Sequence, residues 1–185
     1  MKIRTFIALE IPDNALDHLL KVRDTALSIS NTLRWESKDK LHLTLKFLGE
    51  CESEMIENLC EALEKIVLNY NQFKLKFSKF GIFTKDGEPK ILWVGLEENI
   101  KLYELVQQIE NTFSSFGFQK ESRKFSAHIT LFRFRGREDA KKILSLLSVN
   151  LPEINFTADK VSFMQSKLLP SGSIYSNLKS FKLKN

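Results

Sequence analysis

Apolar residues recur along the first part of the chain at two spacings, one typical of strands and one typical of helices. Residues 2–9 are rich in β-branched and aromatic residues, which is typical of a strand, and a helix with one apolar stripe is predicted to begin at Pro12 and Asp13. Residues 41–48 and 73–80 alternate as strands do, whereas residues 53–70 carry apolar side chains at helical spacing. This part of the chain is therefore predicted to run strand, helix, strand, helix, strand.

The same order of elements recurs in the second part. Strands are predicted at 91–96, 128–134, within 154–164 and near 174–182, and helices are predicted near 100–115 and 137–148. Turn-forming residues at 84–90 separate the two parts, and those at 168–173 introduce the last strand. The repetition predicts one bilobal α+β domain over residues 1–185, with pseudo-repeats at about 1–85 and 90–185.

Composition narrows the class of protein. The 185 residues are 43% hydrophobic, which is typical of a folded domain, and 28 Lys and Arg against 23 Asp and Glu give a net charge of +5 that modestly favours a polyanionic partner such as RNA. Cys51 and Cys60 form neither a disulfide framework nor a zinc cluster, so a reducing cytoplasm is expected. No apolar run approaches the roughly 18–20 residues of a membrane helix, so no membrane association is predicted.

One short pattern occurs twice, as HLTL beginning at His42 and as HITL beginning at His128. In a strand, residues i and i+2 share a face, so His42 lies beside Thr44 and His128 beside Thr130. If the halves are related by a two-fold rotation, two imidazoles and two hydroxyls surround one small anion. Histidine can act as base or acid near neutral pH, and threonine can donate to a phosphate oxygen. The pair predicts phosphodiester hydrolysis.

A single His-x-Thr on a strand is common and by itself means little; the two copies at matching repeat positions carry the hypothesis. Zinc chemistry at His42 and His128 is the alternative, but a catalytic zinc usually has three protein ligands, and no further ligand stands at motif spacing. His18, on the polar side of its helix, is assigned no role. We therefore expect metal-independent catalysis.

With their flanks, the two motifs read LRWESKDKLHLTLKFLGE and ESRKFSAHITLFRFRG. They closely resemble the signatures of the 2H phosphoesterase superfamily, and in particular its bacterial and archaeal RNA 2′,3′-cyclic phosphodiesterase branch, formerly called 2′-5′ RNA ligase. The resemblance extends to RTFIALEIP, FGIF, ILWVGL and MQSKLLPSGSIY, so it covers nearly the whole chain. It implies two pseudo-symmetric lobes, each with an antiparallel sheet and helices, that face each other across a cleft.

The resemblance also implies an activity, the opening of a terminal 2′,3′-cyclic phosphate on RNA or a cyclic nucleotide to leave a 2′-phosphate, without a cofactor. His42 is implied to be the general acid and His128 the general base, while Thr44 and Thr130 hold the phosphate. The acid and base can exchange roles with the orientation of the substrate, because the site is pseudo-symmetric.

Two basic residues extend the predicted site. Arg133 matches a basic residue that follows the second motif in this family and is implied to bind phosphate. It lies five residues beyond His128, on the opposite face of a straight strand, so it reaches the site only through a bulge, a twist or the strand's end; otherwise it is a solvated arginine. Lys46 shares the face of His42 and is either a contact for RNA at the rim or an exposed lysine.

An aromatic side chain at the edge of the cleft can stack on the base next to the phosphate. The candidates are Phe47, Phe83, Phe132 and Phe134. Most of them are expected in the core, and Phe132 and Phe134 share the face of His128 only if that strand stays regular.

Two other functions remain open at this point. The reverse reaction joins a 2′,3′-cyclic phosphate to a 5′-hydroxyl, since the same acid and base serve both directions, although hydrolysis is favoured in water. A noncatalytic module that binds RNA or nucleotides is the other alternative, and the intact histidine and threonine pairs argue against it. No apolar stripe is left over for a partner helix, so a monomer is expected.

Overall fold

The computed structural model describes residues 1–27, 33–136, 140–170 and 172–185. Its strands are β1 (Lys2–Glu10), β2 (His42–Glu52), β3 (Phe73–Lys85), β4 (Glu88–Leu96), β5 (His128–Arg133), β6 (Asn155–Ala158), β7 (Lys160–Leu169) and β8 (Gly172–Lys182). Its helices are α1 (Asp13–Leu27), α2 (Ile56–Val67), α3 (Ile100–Ser114) and α4 (Ala140–Leu144). Short 3₁₀ turns occur at Lys38–Lys40, Ser53–Met55 and Ser145–Ser148.

The strands form two antiparallel sheets of four, one in the order β2-β1-β7-β8 and the other in the order β5-β4-β3-β6. The two strands that begin at the motif histidines, β2 and β5, are therefore edge strands, one in each sheet. They contact each other, so the two motifs lie where the sheets meet. The strand and helix periods in the sequence predicted most of these elements.

The sheets do not follow the two halves of the sequence. Strand β3, from the first half, pairs with β4, whereas β7 and β8 return from the end of the chain to the sheet of β1. The cause is the turn at Asp86 and Gly87, both of which have positive φ, because a two-residue turn of this kind joins neighbouring antiparallel strands. The turn-forming stretch 84–90 is thus a hairpin inside one sheet.

Two other elements differ from the sequence prediction. The single strand expected within 154–164 is two strands, β6 and β7, which belong to different sheets. In the described residues the fourth helix covers Ala140–Leu144, and a 3₁₀ turn at Ser145–Ser148 stands where the helix was predicted to end. The expected beginning of that helix, at 137–139, and Ser171 in the expected turn lie outside the described residues.

The core is one continuous cluster of apolar side chains from both sheets. The motif residues that were predicted to point inward are all buried, with at most 3% of their surface exposed: Leu43, Leu45, Ile129 and Leu131. Burying a leucine or isoleucine in this way contributes roughly 1.5–3 kcal/mol. We propose that the two lobes form a single domain, since they share this core.

Two further predictions concern the whole chain. Cys51 and Cys60 are free, buried thiols, as expected from their spacing. None of the described helices is long and apolar enough to cross a bilayer.

Candidate active site

Strand β2 carries an irregularity directly after its motif. Its pairing with β1 is regular at His42 and Thr44 and then skips Leu45. Leu45 is therefore the extra residue of a β-bulge, which reverses the alternation of the side chains that follow. Lys46 turns into the interior, where it is 4% exposed, and Phe47 takes the place on the face of His42, where it is 70% exposed.

Strand β5 carries the same irregularity at the equivalent position. Its pairing with β4 is regular at His128 and Thr130 and then skips Leu131. Beyond this bulge Phe132 is fully buried, and Arg133 lies on the face of His128. The bulge that Arg133 requires in order to reach the site is therefore present.

The structure corrects the expectation for Lys46. Its Nζ lies 2.6 Å from Oε2 of Glu110 on α3 and donates to the backbone carbonyl of Gln119 at 2.9 Å. Both members of this ion pair are buried, and the pair joins β2 to the other lobe. The bulge explains the difference, because it turns Lys46 away from the face of His42. Lys46 is a structural residue and no rim contact.

A backbone carbonyl two residues earlier in the chain accepts a hydrogen bond from each histidine ring. Nδ1 of His128 lies 2.7 Å from the carbonyl oxygen of Ser126, and the ring of His42 hydrogen-bonds to the carbonyl of Lys40. In the neutral ring, Nδ1–H of His128 donates to this carbonyl, which leaves the lone pair on Nε2 free to accept a proton. The local backbone thus selects the tautomer that a general base needs.

The pKa values of both histidines lie below the ordinary value for histidine. Burial, with a smaller contribution from the charge of Arg133, lowers the pKa of His42 to about 4, against the opposing hydrogen bond to the carbonyl of Lys40. Burial and the same arginine also lower the pKa of His128. Since Arg133 acts on both rings, the three groups share one site. An anion bound among them would raise both pKa values.

Arg133 has a specific partner. Its Nε lies 3.0 Å from Oε1 of Glu36, which belongs to the segment leading into β2. The backbone N–H of Glu36 donates to the carbonyl of Leu131, the bulge residue of β5, at 3.0 Å. One residue therefore contacts both the bulge and the arginine that the bulge presents, and the motifs gave no signal for it.

Aromatic rings flank both histidines. Phe6 stacks on His42 at 4.9 Å between ring centroids, and Tyr175 approaches the same ring edge-on at 5.2 Å. Phe83 approaches His128 edge-on at 4.8 Å. Phe6 lies on β1 and Tyr175 on β8, so the two histidine motifs could not predict either contact. The pattern at residues 2–9 predicted only a strand.

The four candidate phenylalanines separate into two groups. Phe47 is exposed on the face of His42 and Phe83 borders His128, so both lie at the site. Phe132 is fully buried, and Phe134 packs against the core. The bulge in β5 is the cause, because it removes Phe132 from the face of His128.

The two predicted threonines lie on the strand faces that carry the histidines. Thr44 and Thr130 are partly buried on the same faces as their histidines. Within the described ranges, no three His, Cys, Asp or Glu side chains cluster as metal ligands do. The site therefore presents two imidazoles, two hydroxyls and one guanidinium, a set of groups that can bind and hydrolyse a phosphodiester.

A family model described as the 2′-5′ RNA ligase superfamily matches residues 12–168, which include both histidine strands. The chain belongs to the 2′-5′ RNA ligase superfamily.

Relatives within this superfamily match over nearly the whole length. An RNA 2′,3′-cyclic phosphodiesterase of Thermotoga maritima is 30% identical over 173 residues, which cover 94% of this chain and 91% of the relative. The protein of the same name from Methanothermobacter thermautotrophicus is 25% identical over 185 residues, covering 99% of this chain and all of the relative.

Solved structures confirm the predicted fold. The protein TT0787 of Thermus thermophilus superposes with a TM-score of 0.81 over 99% of both chains at 20% identity. Escherichia coli LigT complexed with 3′-AMP superposes with a TM-score of 0.76 over the full length of both chains at 21% identity. At this identity the likeness concerns the fold, which is the α+β arrangement with two antiparallel sheets expected for a superfamily member.

Proposed function

We propose that this superfamily member is an RNA 2′,3′-cyclic phosphodiesterase, a hydrolase that opens a terminal 2′,3′-cyclic phosphate on RNA, or on a cyclic nucleotide, to a 2′-phosphate. The observation that carries the proposal is the pair of matched strands that present His42 and His128 near the charge of Arg133. The relatives named RNA 2′,3′-cyclic phosphodiesterase support it over nearly the whole chain.

The two histidines divide the proton transfers. His128, neutral and with Nε2 unoccupied by the Ser126 hydrogen bond, takes a proton from water as the water oxygen attacks phosphorus. The bond from phosphorus to the 3′ oxygen breaks, and protonated His42 gives its proton to that oxygen. The products are a 2′-phosphate and a 3′-hydroxyl. The strongly lowered pKa of His42 makes its protonated ring the stronger acid of the two.

The phosphate is held by groups on the same faces. Thr44 and Thr130 donate hydrogen bonds to the non-bridging oxygens, and Arg133 supplies the positive charge that the developing dianionic transition state requires. The negative charge of the bound phosphate favours the protonated state of His42, against the effects of burial and Arg133. Substrate binding therefore prepares the acid.

The base beside the cyclic phosphate stacks on an aromatic wall. Phe47 offers an exposed ring on the face of His42, Tyr175 lies on the same side of the site, and the buried ring of Phe6 contacts both. Base stacking on such rings contributes roughly 1–3 kcal/mol per base and tolerates any sequence. The first lobe thus binds the base, while both lobes hold the phosphate and the second supplies the charge of Arg133.

The direct test is hydrolysis of an oligoribonucleotide that ends in a 2′,3′-cyclic phosphate, with EDTA present. We expect a 2′-phosphate product from the wild type and a loss of roughly 10²–10⁴-fold in kcat in His42→Ala and in His128→Ala. His18→Ala, an exposed histidine on α1, is the matched control and should retain full activity. Activity that requires added metal, or a fully active motif variant, would overturn the proposal.

A second substrate tests which histidine is the acid. With sulfur in place of the bridging 3′ oxygen, the leaving group is a thiolate that departs without a proton. His42→Ala should then recover most of its activity, whereas His128→Ala should stay inactive. The opposite pattern would reverse the two roles and leave the pair intact.

We further propose that the enzyme acts on RNA as a monomer in the cytoplasm. Free, buried thiols are typical of a reducing compartment, and the proposed site draws all its groups from one chain. Light scattering should give a mass near 21.5 kDa. A dimer at micromolar concentration would contradict the monomer.

A further inference from the structure

Arg133 extends from an edge strand and is 47% exposed in its side chain, so its own strand does not define the direction of the guanidinium. A long side chain in such a position samples several rotamers, and each restriction costs conformational entropy on substrate binding. A group that is to hold one phosphate oxygen therefore needs a partner that restrains it beforehand.

Glu36 is placed to be that partner. Its Oε1 accepts from Nε of Arg133 at 3.0 Å, and only 22% of its side chain is exposed. The two residues are 97 positions apart, and Glu36 precedes β2, so the contact crosses from one histidine strand to the other. The partner of Arg133 thus comes from the opposite half of the site.

The backbone of Glu36 is fixed independently of its side chain. Its N–H donates to the carbonyl of Leu131, the bulge residue of β5, at 3.0 Å. The bulge therefore has two connected effects: it turns Arg133 toward the face of His128, and its carbonyl holds the residue whose carboxylate restrains the guanidinium. A side-chain substitution at Glu36 leaves this backbone hydrogen bond in place.

The contact with Glu36 uses only Nε of Arg133 and leaves the terminal nitrogens of the guanidinium for the phosphate. A guanidinium has five N–H donors in a planar fork, and the one on Nε points away from part of that fork. With Nε bound to Glu36, donors on the terminal nitrogens remain available to a phosphate on the side of the histidines. An arginine bound to two anions at once, through different edges, is oriented by one while it binds the other.

We propose that Glu36 is a positioning residue for the reaction: it orients Arg133 toward the scissile phosphate from across the site. This inference rests on the proposed phosphodiesterase activity, since it assigns a further residue to that same site. Glu36 itself does not contact the reacting atoms and acts only through the arginine.

Three variants separate positioning from a structural role. Glu36→Ala removes the acceptor and should lower kcat/KM about tenfold, with a several-fold rise in KM for a 2′,3′-cyclic nucleotide. Glu36→Gln keeps an oxygen that can accept from Nε and should restore most of the loss. If Glu36 were merely structural, Glu36→Ala would reduce the amount of active enzyme, so that apparent kcat would fall while KM stayed unchanged.

A double-substitution cycle with Arg133→Ala is the decisive measurement. Because Glu36 acts through Arg133, Glu36→Ala should have no further effect on kcat/KM once the arginine is absent. Additive losses in the double variant would overturn the proposal. Glu64→Gln, which alters the ion pair between α2 and Lys179 of β8, is the matched control and should not change KM.

The dissociation constant of inorganic phosphate gives a readout that needs no turnover. Glu36→Ala should weaken phosphate binding several-fold, and Arg133→Ala should weaken it further, with no added effect of Glu36→Ala in the Arg133→Ala background. A wild type that binds phosphate but opens no cyclic phosphate would defeat the proposed function alone. Phosphate binding that is unaffected by Glu36→Ala, in an active enzyme, would defeat the positioning role alone.

Discussion

The two histidine strands of this superfamily member share one backbone plan and differ in the two residues that follow it. Both β2 and β5 are edge strands with a histidine and a threonine on one face and a bulge at the next residue. After the bulge, β2 continues with Lys46 and Phe47, and β5 with Phe132 and Arg133. In each strand the first of these residues is buried and the second is exposed at the site.

In each strand, the bulge determines which of the two following side chains faces the site. The sequence places a charged residue and an aromatic residue after each motif, in opposite order, so the same bulge buries the lysine of one strand and the phenylalanine of the other. After its bulge, β2 therefore contributes an aromatic ring to the site, and β5 contributes a cation. This asymmetry lets a pseudo-symmetric pair of histidines bind its substrate in one orientation.

The largest predicted effect tests the buried side of the comparison. Lys46→Ala leaves the carboxylate of Glu110 buried without its partner, which should lower the free energy of unfolding by roughly 3–5 kcal/mol, as measured by urea denaturation. KM of the folded enzyme should not change. Combining Lys46→Met with Glu110→Leu should restore most of the stability. A rise in KM with normal stability would return Lys46 to the rim of the site.

The two histidines should differ in their effect on acid stability. Because the folded pKa of His42 is lowered to about 4 from an ordinary value of 6.5, the unfolded chain binds the proton first as the pH falls. Stability that is complete above pH 6.5 is then lost by up to about 3 kcal/mol toward pH 4. Urea denaturation at several pH values gives the dependence of the free energy of unfolding on pH. His42→Ala should reduce this dependence more than His128→Ala does. If the free energy of unfolding depends on pH equally in both variants, the predicted difference between the two histidines is wrong.

Arg133 tests the cationic side of the comparison. Arg133→Ala should lower kcat/KM about 100-fold on every 2′,3′-cyclic nucleotide, because a charge that contacts the phosphate contributes roughly 1.5–3 kcal/mol whatever the base. Steady-state kinetics on all four nucleotides measure the effect. A loss confined to one base would place Arg133 at the base instead of the phosphate.

Phe47 tests the aromatic side and should have the smallest effect. Phe47→Ala should lower kcat/KM about tenfold, more for purine than for pyrimidine substrates, because the ring stacks on the base. Phe47→Tyr keeps the ring and should retain activity. An equal effect on all bases, or none, would leave the first lobe without a role in base binding.

Part of this architecture follows from local sequence patterns. Strand and helix periods predicted almost every element, and the two His-x-Thr copies located both halves of the site. The residue pair Asp86-Gly87 also predicts a two-residue hairpin, yet the repeat made the same stretch look like a boundary between halves. That hairpin places β3 in the sheet of β4, and the pairing of β7 with β1, which lies far away in the chain, places β7 in the other sheet.

The remainder of the site depends on contacts that no local pattern contains. The bulge in β2 leaves the alternation of residue types intact, so nothing in the six residues from His42 to Phe47 marks Leu45 as the extra one. In β5 the adjacent apolar residues Leu131 and Phe132 do interrupt the alternation at the bulge. The burial of Lys46 depends on Glu110, which lies 64 positions away. Phe6 and Tyr175 reach His42 only through sheet pairing. The sequence therefore offered Arg133, Phe47 and Phe83 only as candidates, and it gave no indication of Phe6, Tyr175 or the partner of Lys46.

The pH dependence of kcat/KM tests the two-histidine account most directly. Turnover requires one proton on the pair of rings, and the pair titrates as a unit in the free enzyme. Because the pKa of each ring is lowered, the account predicts a maximum on the acid side of pH 6.5 and a fall in kcat/KM as the pH rises through neutrality. A profile that is flat or rises between pH 6 and pH 8 would contradict it.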